Sequence, residues 1–199
     1  MTEYRLDRIE PTYRNAQSAV QLTGLDLWAA GAAHFRDIAN YSDLQHIKRQ
    51  QQRFAQHPER YMGALDDEDH LLGLVKYNDW NWYDQQPFEP LLDRVLHRLD
   101  RRQQDEAAPQ PLGVFALLVH TEFVPADQRF DIGTDLLDVA IGVAQEREMR
   151  IVHYPDDEMK QITVAAGFYP SGKTGSVLGI RQELYVRPSK FDDLEYSPR

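Results

Sequence analysis

Val124-Pro125-Ala126-Asp127-Gln128-Arg129-Phe130-Asp131-Ile132-Gly133-Thr134-Asp135-Leu136-Leu137 is the stretch on which the fold turns. It joins a long apolar run to a series, Ile132, Leu136, Val139, Ala140, Val143 and Ala144, that has the spacing of an amphipathic helix. A turn that carries Gln128 and Gly133 and opens directly into a helix gathers unpaired backbone N–H groups and the positive end of the macrodipole at one point. Such a junction stabilises an anion without a cationic side chain, and a pyrophosphate suits it. The expectation is a phosphorylated cofactor.

Upstream of this turn, residues 112–124 form the most apolar strand candidate of the chain, expected at the centre of a sheet. Downstream, residues 150–154 read as a short strand, 156–166 as a helix and 180–187 as a terminal strand, so elements alternate in the second half. In the first half, residues 4–9 alternate weakly as a strand, and Pro11 introduces a helical zone with Leu22, Leu25 and Trp28 that Gly24 and Gly31 are expected to interrupt. Ser42-Asp-Leu-Gln45 matches a capping box, predicting a helix to Gln56 that Pro58 ends. Residues 60–65 and 71–77 flank the acidic turn 66–69 as a hairpin would. Residues 78–111, with Trp80, Trp82, Tyr83 and a helix opening at Pro90, read as an insertion within a single domain of residues 1–199.

Bulk properties narrow the function. The 32 acidic against 22 basic residues give a formal net charge of −10, which disfavours nucleic acid and anionic membrane and favours cationic partners such as amines. With no cysteine there is no thiolate nucleophile, disulfide framework or Cys-ligated zinc. The histidines lack the i, i+4 spacing of a zinc helix, so no metal is expected. The amino-terminal residues lack a signal-peptide apolar region, and apolar runs fall far short of the roughly 20 residues that span a bilayer. A cytoplasmic location is the expectation.

The order of strand, Gln128-x-x-x-x-Gly133 turn, helix, strand, helix and Gly167-Phe168 resembles the GCN5-related N-acetyltransferase (GNAT) family over residues 62–186, the insertion apart. Pro125, three residues before Gln128, and Leu136-Leu137 keep the family spacing, whereas Asp131 stands at the family's first glycine. Asp131 is read in two ways: a carboxylate beside anionic oxygens, or a helix cap. The resemblance implies an α/β (α+β) fold: a mixed, mostly antiparallel sheet, helices on both faces, and a V-shaped opening between two central strands. It also implies acetyl-CoA as cofactor and a small-molecule or peptide amine as acceptor, with direct transfer in a ternary complex. The pyrophosphate would lie against the amides of Gln128, Arg129, Phe130, Asp131, Ile132, Gly133 and Thr134. The pantetheine and acetyl group would meet the backbone from Thr121 to Phe123, and Asp156 would contact the cofactor where the family has asparagine.

Acetyl transfer needs a neutral amine, a destination for its proton and a proton for the departing thiolate. The family's strand glutamate falls on Leu117 and its helix tyrosine on Thr163, so neither usual catalyst is present. Glu122 and His120 remain as candidate bases on the face opposite Leu117, Val119 and Thr121, beside the alternatives of a surface carboxylate, a core histidine and proton loss to water. Tyr154, Tyr169 and Tyr185 are candidates for the acid, with packing as the default for each. Trp80, Trp82 and Tyr83 are candidates for an acceptor-binding wall or for core and homodimer packing. A non-catalytic protein of the same fold that binds coenzyme A or a protein partner is the second reading. A third comes from Gly167-Phe-Tyr-Pro-Ser-Gly172-Lys173-Thr174, which resembles a Walker A nucleotide loop but lacks a following helical pattern, so a surface loop is expected there.

Overall fold

The computed structural model describes residues 3–29, 44–79, 111–120, 123–155, 157, 159–177 and 180–189. Seven strands form one sheet: β1 (Arg5–Asp7), β2 (Tyr61–Leu65), β3 (Leu71–Asp79), β4 (Leu112–Val119), β5 (Ile151–His153), β6 (Tyr169–Val177) and β7 (Ile180–Arg187). Their order is β1-β2-β3-β4-β5-β7-β6. Every neighbouring pair is antiparallel except β4–β5, which is parallel. A parallel pair needs a crossover, and helix α3 (Ala126–Glu146) supplies it. Helices α1 (Tyr13–Ala29), α2 (Leu44–Gln56) and α4 (Lys160–Ala165) complete the described set.

Two apolar clusters place helices on both faces of the sheet. Ile132, Leu136, Leu137, Ala140, Ile141 and Ala144 of α3 and Ile162 of α4 pack on Val75, Leu117, Val119 and Ile151. Ala16, Ala19 and Leu22 of α1 and Ile47 and Phe54 of α2 join Leu71, Leu74 and Leu118 on the other side. This is the mixed, mostly antiparallel architecture expected from the sequence.

Several local expectations change. Helix α1 starts where the Thr12 hydroxyl accepts the Asn15 amide at 3.1 Å, and it runs through Gly24 without the expected break. The Ser42 capping residue lies outside the described residues. Strand β4 ends at Val119, short of residue 124, because Val124 N–H turns back to the His120 carbonyl at 3.0 Å. The Walker-like segment is itself an edge strand, β6, paired with β7 rather than a loop entering a helix. The nucleotide-loop reading fails on that geometry. Of the insertion 78–111, Asn78 and Asp79 extend β3 and Pro111 precedes β4, while residues 80–110 lie outside the described residues.

Two glycines shape the α3–α4 side of the sheet. At Gly133 an added Cβ would lie 2.5 Å from Ile162 Cδ1, so its bare Cα is what lets α4 approach α3. Gly167, at φ +83°, closes α4: its amide bonds the Val164 carbonyl at 3.0 Å and Phe168 N–H bonds the Thr163 carbonyl at 3.2 Å. The buried Phe168 ring that follows anchors the turn in the core beside Ile162.

Candidate functional site

The site is built by two irregularities in β4. Its ladder with β5 holds only three pairs, Leu112↔Ile151, Gly113↔Val152 and Val114↔His153. Its register against β3 passes from Lys76↔Ala116 to Tyr77↔Val114, leaving Phe115 as an extra residue, a bulge. The bulge switches the parity of the side chains facing α3 from Leu112 and Val114 to Leu117 and Val119. It also bends the strand at the point where β5 stops being its partner. Among the described residues, 116–119 of β4 therefore continue beyond the β5 ladder, and the chain leaves the sheet at Tyr154 and Pro155. The β4–β5 ladder thus has its closed end at Val114 and His153, where β5 itself ends.

Helix α3 begins at the open end, six residues earlier than Ile132. Pro125 is its N-cap, extended at ψ 147° and without a side-chain cap bond, and its carbonyl accepts both Gln128 N–H at 3.0 Å and Arg129 N–H at 3.2 Å. This corrects the expected turn: Gln128 to Thr134 are helical, and from Phe130 onward α-helical geometry commits the amides to carbonyls four residues back. The first-turn donors without an intrahelical carbonyl are those of Ala126 and Asp127. Asp131 is exposed in the second turn, so it is not the cap. Ile132 and Gly133 are buried against the sheet and α4, and the Thr134 hydroxyl donates to the Phe130 carbonyl at 2.7 Å. Arg129 Nε donates to the Val124 carbonyl at 3.0 Å, tying the turn to the helix. Phe123 and Phe130 are large apolar side chains left exposed near this helix end.

His120 continues the β3 ladder by one bond, its amide donating to the Leu72 carbonyl at 2.7 Å. Its ring is buried and lies 4.1 Å from the Phe123 ring, centroid to centroid. It sits at the far end of β4 from the closed vertex, about six residues or roughly 20 Å along the strand. Thr121, Glu122, Asp156, Trp80, Trp82 and Tyr83 lie outside the described residues. Leu117 is core, as is Thr163, whose hydroxyl donates to the Met159 carbonyl at 2.8 Å. Among the described residues no group of three His, Asp or Glu side chains is placed to hold a metal ion, and no helix is long and apolar enough to cross a membrane.

Two features escaped the sequence. His153, buried at the closed end, has Nδ1 3.3 Å from Thr163 Oγ1. Since that hydroxyl proton is already given to Met159, Oγ1 accepts and Nδ1 carries the hydrogen. Lys76 of β3 lies beside the bulge, its Nζ 5.7 Å from the Phe115 ring centroid and 6.0 Å from that of Tyr61. A lone histidine after two β-branched residues, and a lysine inside a strand, carry no spacing that would have revealed either.

No protein-family model matches the chain, and no curated protein matches it. Its backbone nevertheless superposes on solved structures along nearly the whole length. The C-terminal condensation domain of Ebony in complex with beta-alanyl-dopamine matches at TM-score 0.63 and 10% identity, over 94% of this chain and 99% of that one. An N-acetyltransferase from Staphylococcus aureus Mu50 gives 0.59 and 8%, over 92% and 100%. The NatC complex bound to Gag peptide and CoA gives 0.57 and 13%, over 94% and 98%. The chain has the GNAT fold. In the GNAT fold of this chain, the bulged β4, the three-pair ladder with β5 and the crossover helix α3 meet around the end of the β4–β5 ladder.

Proposed function

We propose that the protein is an acetyl-CoA-dependent N-acetyltransferase that acts on a small-molecule or peptide amine by direct transfer in a ternary complex. The observation that carries this reading is the three-pair β4–β5 ladder, beyond which residues 116–119 of β4 run on, among the described residues, outside the β5 pairing and toward the start of α3. An unpaired strand edge offers hydrogen bonds to the amide groups of a pantetheine arm, and the amides of Ala126 and Asp127 with the dipole of α3 favour its diphosphate. Proteins of similar fold agree in chemistry: one is bound to a peptide and CoA, and others are arylalkylamine and agmatine N-acetyltransferases. The net charge of −10 favours a cationic acceptor over an anionic one.

Acetyl-CoA supplies an activated thioester when bound. The chain's part is to hold the pantetheine along β4 from residue 115 toward Phe123, to exclude water with the buried walls of Val114, Leu117 and Val119, and to handle protons. His120 and Glu122 remain the candidates to accept the amine's proton, and water is the third. Asp131, Gln128 and Arg129 would line the outer surface of the cofactor site instead of gripping it with their amides, and Asp156 would flank it beyond β5. Trp80, Trp82 and Tyr83 follow β3 and would form the acceptor wall.

A second reading is a non-catalytic GNAT-fold protein that binds coenzyme A or a protein partner. It is favoured by Leu117 lying in the core and by the Thr163 hydroxyl being committed to the Met159 carbonyl. Calorimetric titration with acetyl-CoA, followed by thiol release across an amine panel, separates the two. Binding with release is expected for the enzyme, and binding without release for the second reading. Absence of binding contradicts both.

A further inference from the structure

Burial in the neighbouring strands β3 and β4 breaks at a shared place. On β4 every residue from Leu112 to Val119 is buried except Phe115 and Ala116, and on β3 the buried run from Leu71 to Val75 ends at Lys76. Lys76 pairs with Ala116 on one side and with Tyr61 on the other, so the three form a row across β2, β3 and β4. Tyr61 belongs to the core beneath α1 and α2, and Ala116 packs against that core, which puts the row on the face of the sheet opposite α3. Lys76 Nζ lies 6.0 Å from the Tyr61 ring centroid and 5.7 Å from that of Phe115, so an ammonium flanked by two rings stands at the partly open spot.

The N-acetyltransferase reading brings the acetyl end of the cofactor to the same spot. With the diphosphate at the start of α3, a pantetheine laid along β4 runs back toward Phe115, where the ladder to β5 ends at Val114↔His153. The α3 side of the sheet is filled there by Val114, Leu117, Leu136 and Ile162, so an amine reaches the thioester from the side of Lys76. We propose that Lys76 makes the site specific for small amines that also carry a carboxylate, an assignment that rests on the N-acetyltransferase reading above.

The chemistry follows from the sign of the charge. An ammonium attracts a carboxylate and donates hydrogen bonds to it, and it repels a second cation at the same place. The net charge of −10 acts over the whole surface and draws amines toward the chain. At one strand spacing, about 4.8 Å, the nearest charge decides, and beside Ala116 that charge is Lys76. The two rings restrict where the ammonium can lie, so a carboxylate gains its bond with less further ordering. An amino acid therefore fits this spot better than the simple amine of the same skeleton.

Pairs of acceptors that differ only in the carboxylate test the assignment: phenylalanine with phenethylamine, and lysine with cadaverine. Thiol release from acetyl-CoA gives kcat/KM for each member with the unaltered chain, Lys76→Arg and Lys76→Met. The unaltered chain is expected to prefer the carboxylate-bearing member of at least one pair by about tenfold or more, chiefly through KM. Lys76→Met keeps a long apolar side chain and removes the charge, and is expected to bring that ratio to within about twofold of one, whereas Lys76→Arg keeps it above about fivefold. A ratio below about threefold in both pairs with the unaltered chain, or a preference that Lys76→Met leaves in place, overturns the assignment and leaves the transferase reading intact. The comparison of acceptors in the unaltered chain decides the matter even where a variant does not fold. Thiol release with neither member of either pair, nor with any other amine, overturns the transferase reading and this assignment with it.

Discussion

Val114 of β4 and His153 of β5 form the last pair of the only parallel ladder among the described residues, and the bulge residue Phe115 comes directly after. A strand that is paired on one edge and open on the other, at the centre of a sheet, exposes backbone donors and acceptors that need a partner. In this chain the helix that follows the open strand, α3, starts at Ala126, shortly after β4 ends at Val119. Geometry of that kind suits an extended polar chain ending in an anion, the shape of the pantetheine diphosphate proposed above.

Asp131 is exposed in the second turn of α3, one turn from the end at which an anion would lie. Asp131→Asn is expected to tighten acetyl-CoA about two- to fivefold at low ionic strength, in keeping with an exposed charge at a helix end, and the gain should shrink with added salt. Calorimetry at two salt concentrations measures it. A weaker Kd in the variant would contradict a diphosphate at this end.

The bond between His153 and Thr163 fixes β5 to α4. Thr163→Val keeps the shape and removes the acceptor, leaving a buried imidazole N–H without this partner at a cost of about 1–3 kcal/mol. Thr163→Ser should restore most of it. Urea unfolding of the two variants gives the comparison, and equal losses would show that the hydroxyl is not what matters.

Gly133 and Ile162 are expected to behave as a coupled pair. Gly133→Ala gains about 1 kcal/mol of helix propensity but sets its Cβ against Ile162 Cδ1. Ile162→Val removes that methyl and alone costs about 0.5–1.5 kcal/mol. In the double variant the two changes should compensate, with a coupling energy of about 1 kcal/mol or more measured by a double-mutant cycle. Additive effects would mean that α3 and α4 are free to separate.

The hairpin between β2 and β3 carries a pH-dependent stability term. Burial acts to raise the Asp66 pKa, but the His70 amide, the His70 imidazole and the Glu68 amide bonded to its carboxylate outweigh it and leave the value below 3.8. A carboxyl whose folded pKa lies below its unfolded one stabilises the fold above the unfolded value and loses that contribution as pH falls through the folded value. The unaltered chain should therefore exceed Asp66→Asn in urea midpoint at neutral pH, and the gap should close below about pH 4. A gap that is constant with pH would contradict this.

Much of the architecture was legible because its signals are local. The apolar run that became β4, the helical stripe from Ile132 to Ala144 and the acidic turn at 66–69 each carry their own period or turn chemistry. The bulge was hidden for a physical reason: Leu112 to Val119 holds no polar residue, so a change in which parity faces the helix leaves no mark in composition. Strand β6 was hidden because Pro170, Gly172, Lys173 and Gly175 read as a loop, and it is pairing with β7 that makes them a strand. The start of α3 was placed too late because residues 126–131 are exposed or partly exposed and lack an apolar period, although Pro125 marks the boundary.

Amide hydrogen exchange with and without acetyl-CoA tests the opening most directly. Protection is expected in peptides covering residues 115–120 of β4 and 123–129 at the start of α3, where the open edge and the helix end would gain partners. Unchanged exchange in both segments at saturating acetyl-CoA, or protection confined to the β6–β7 edge, would contradict the account.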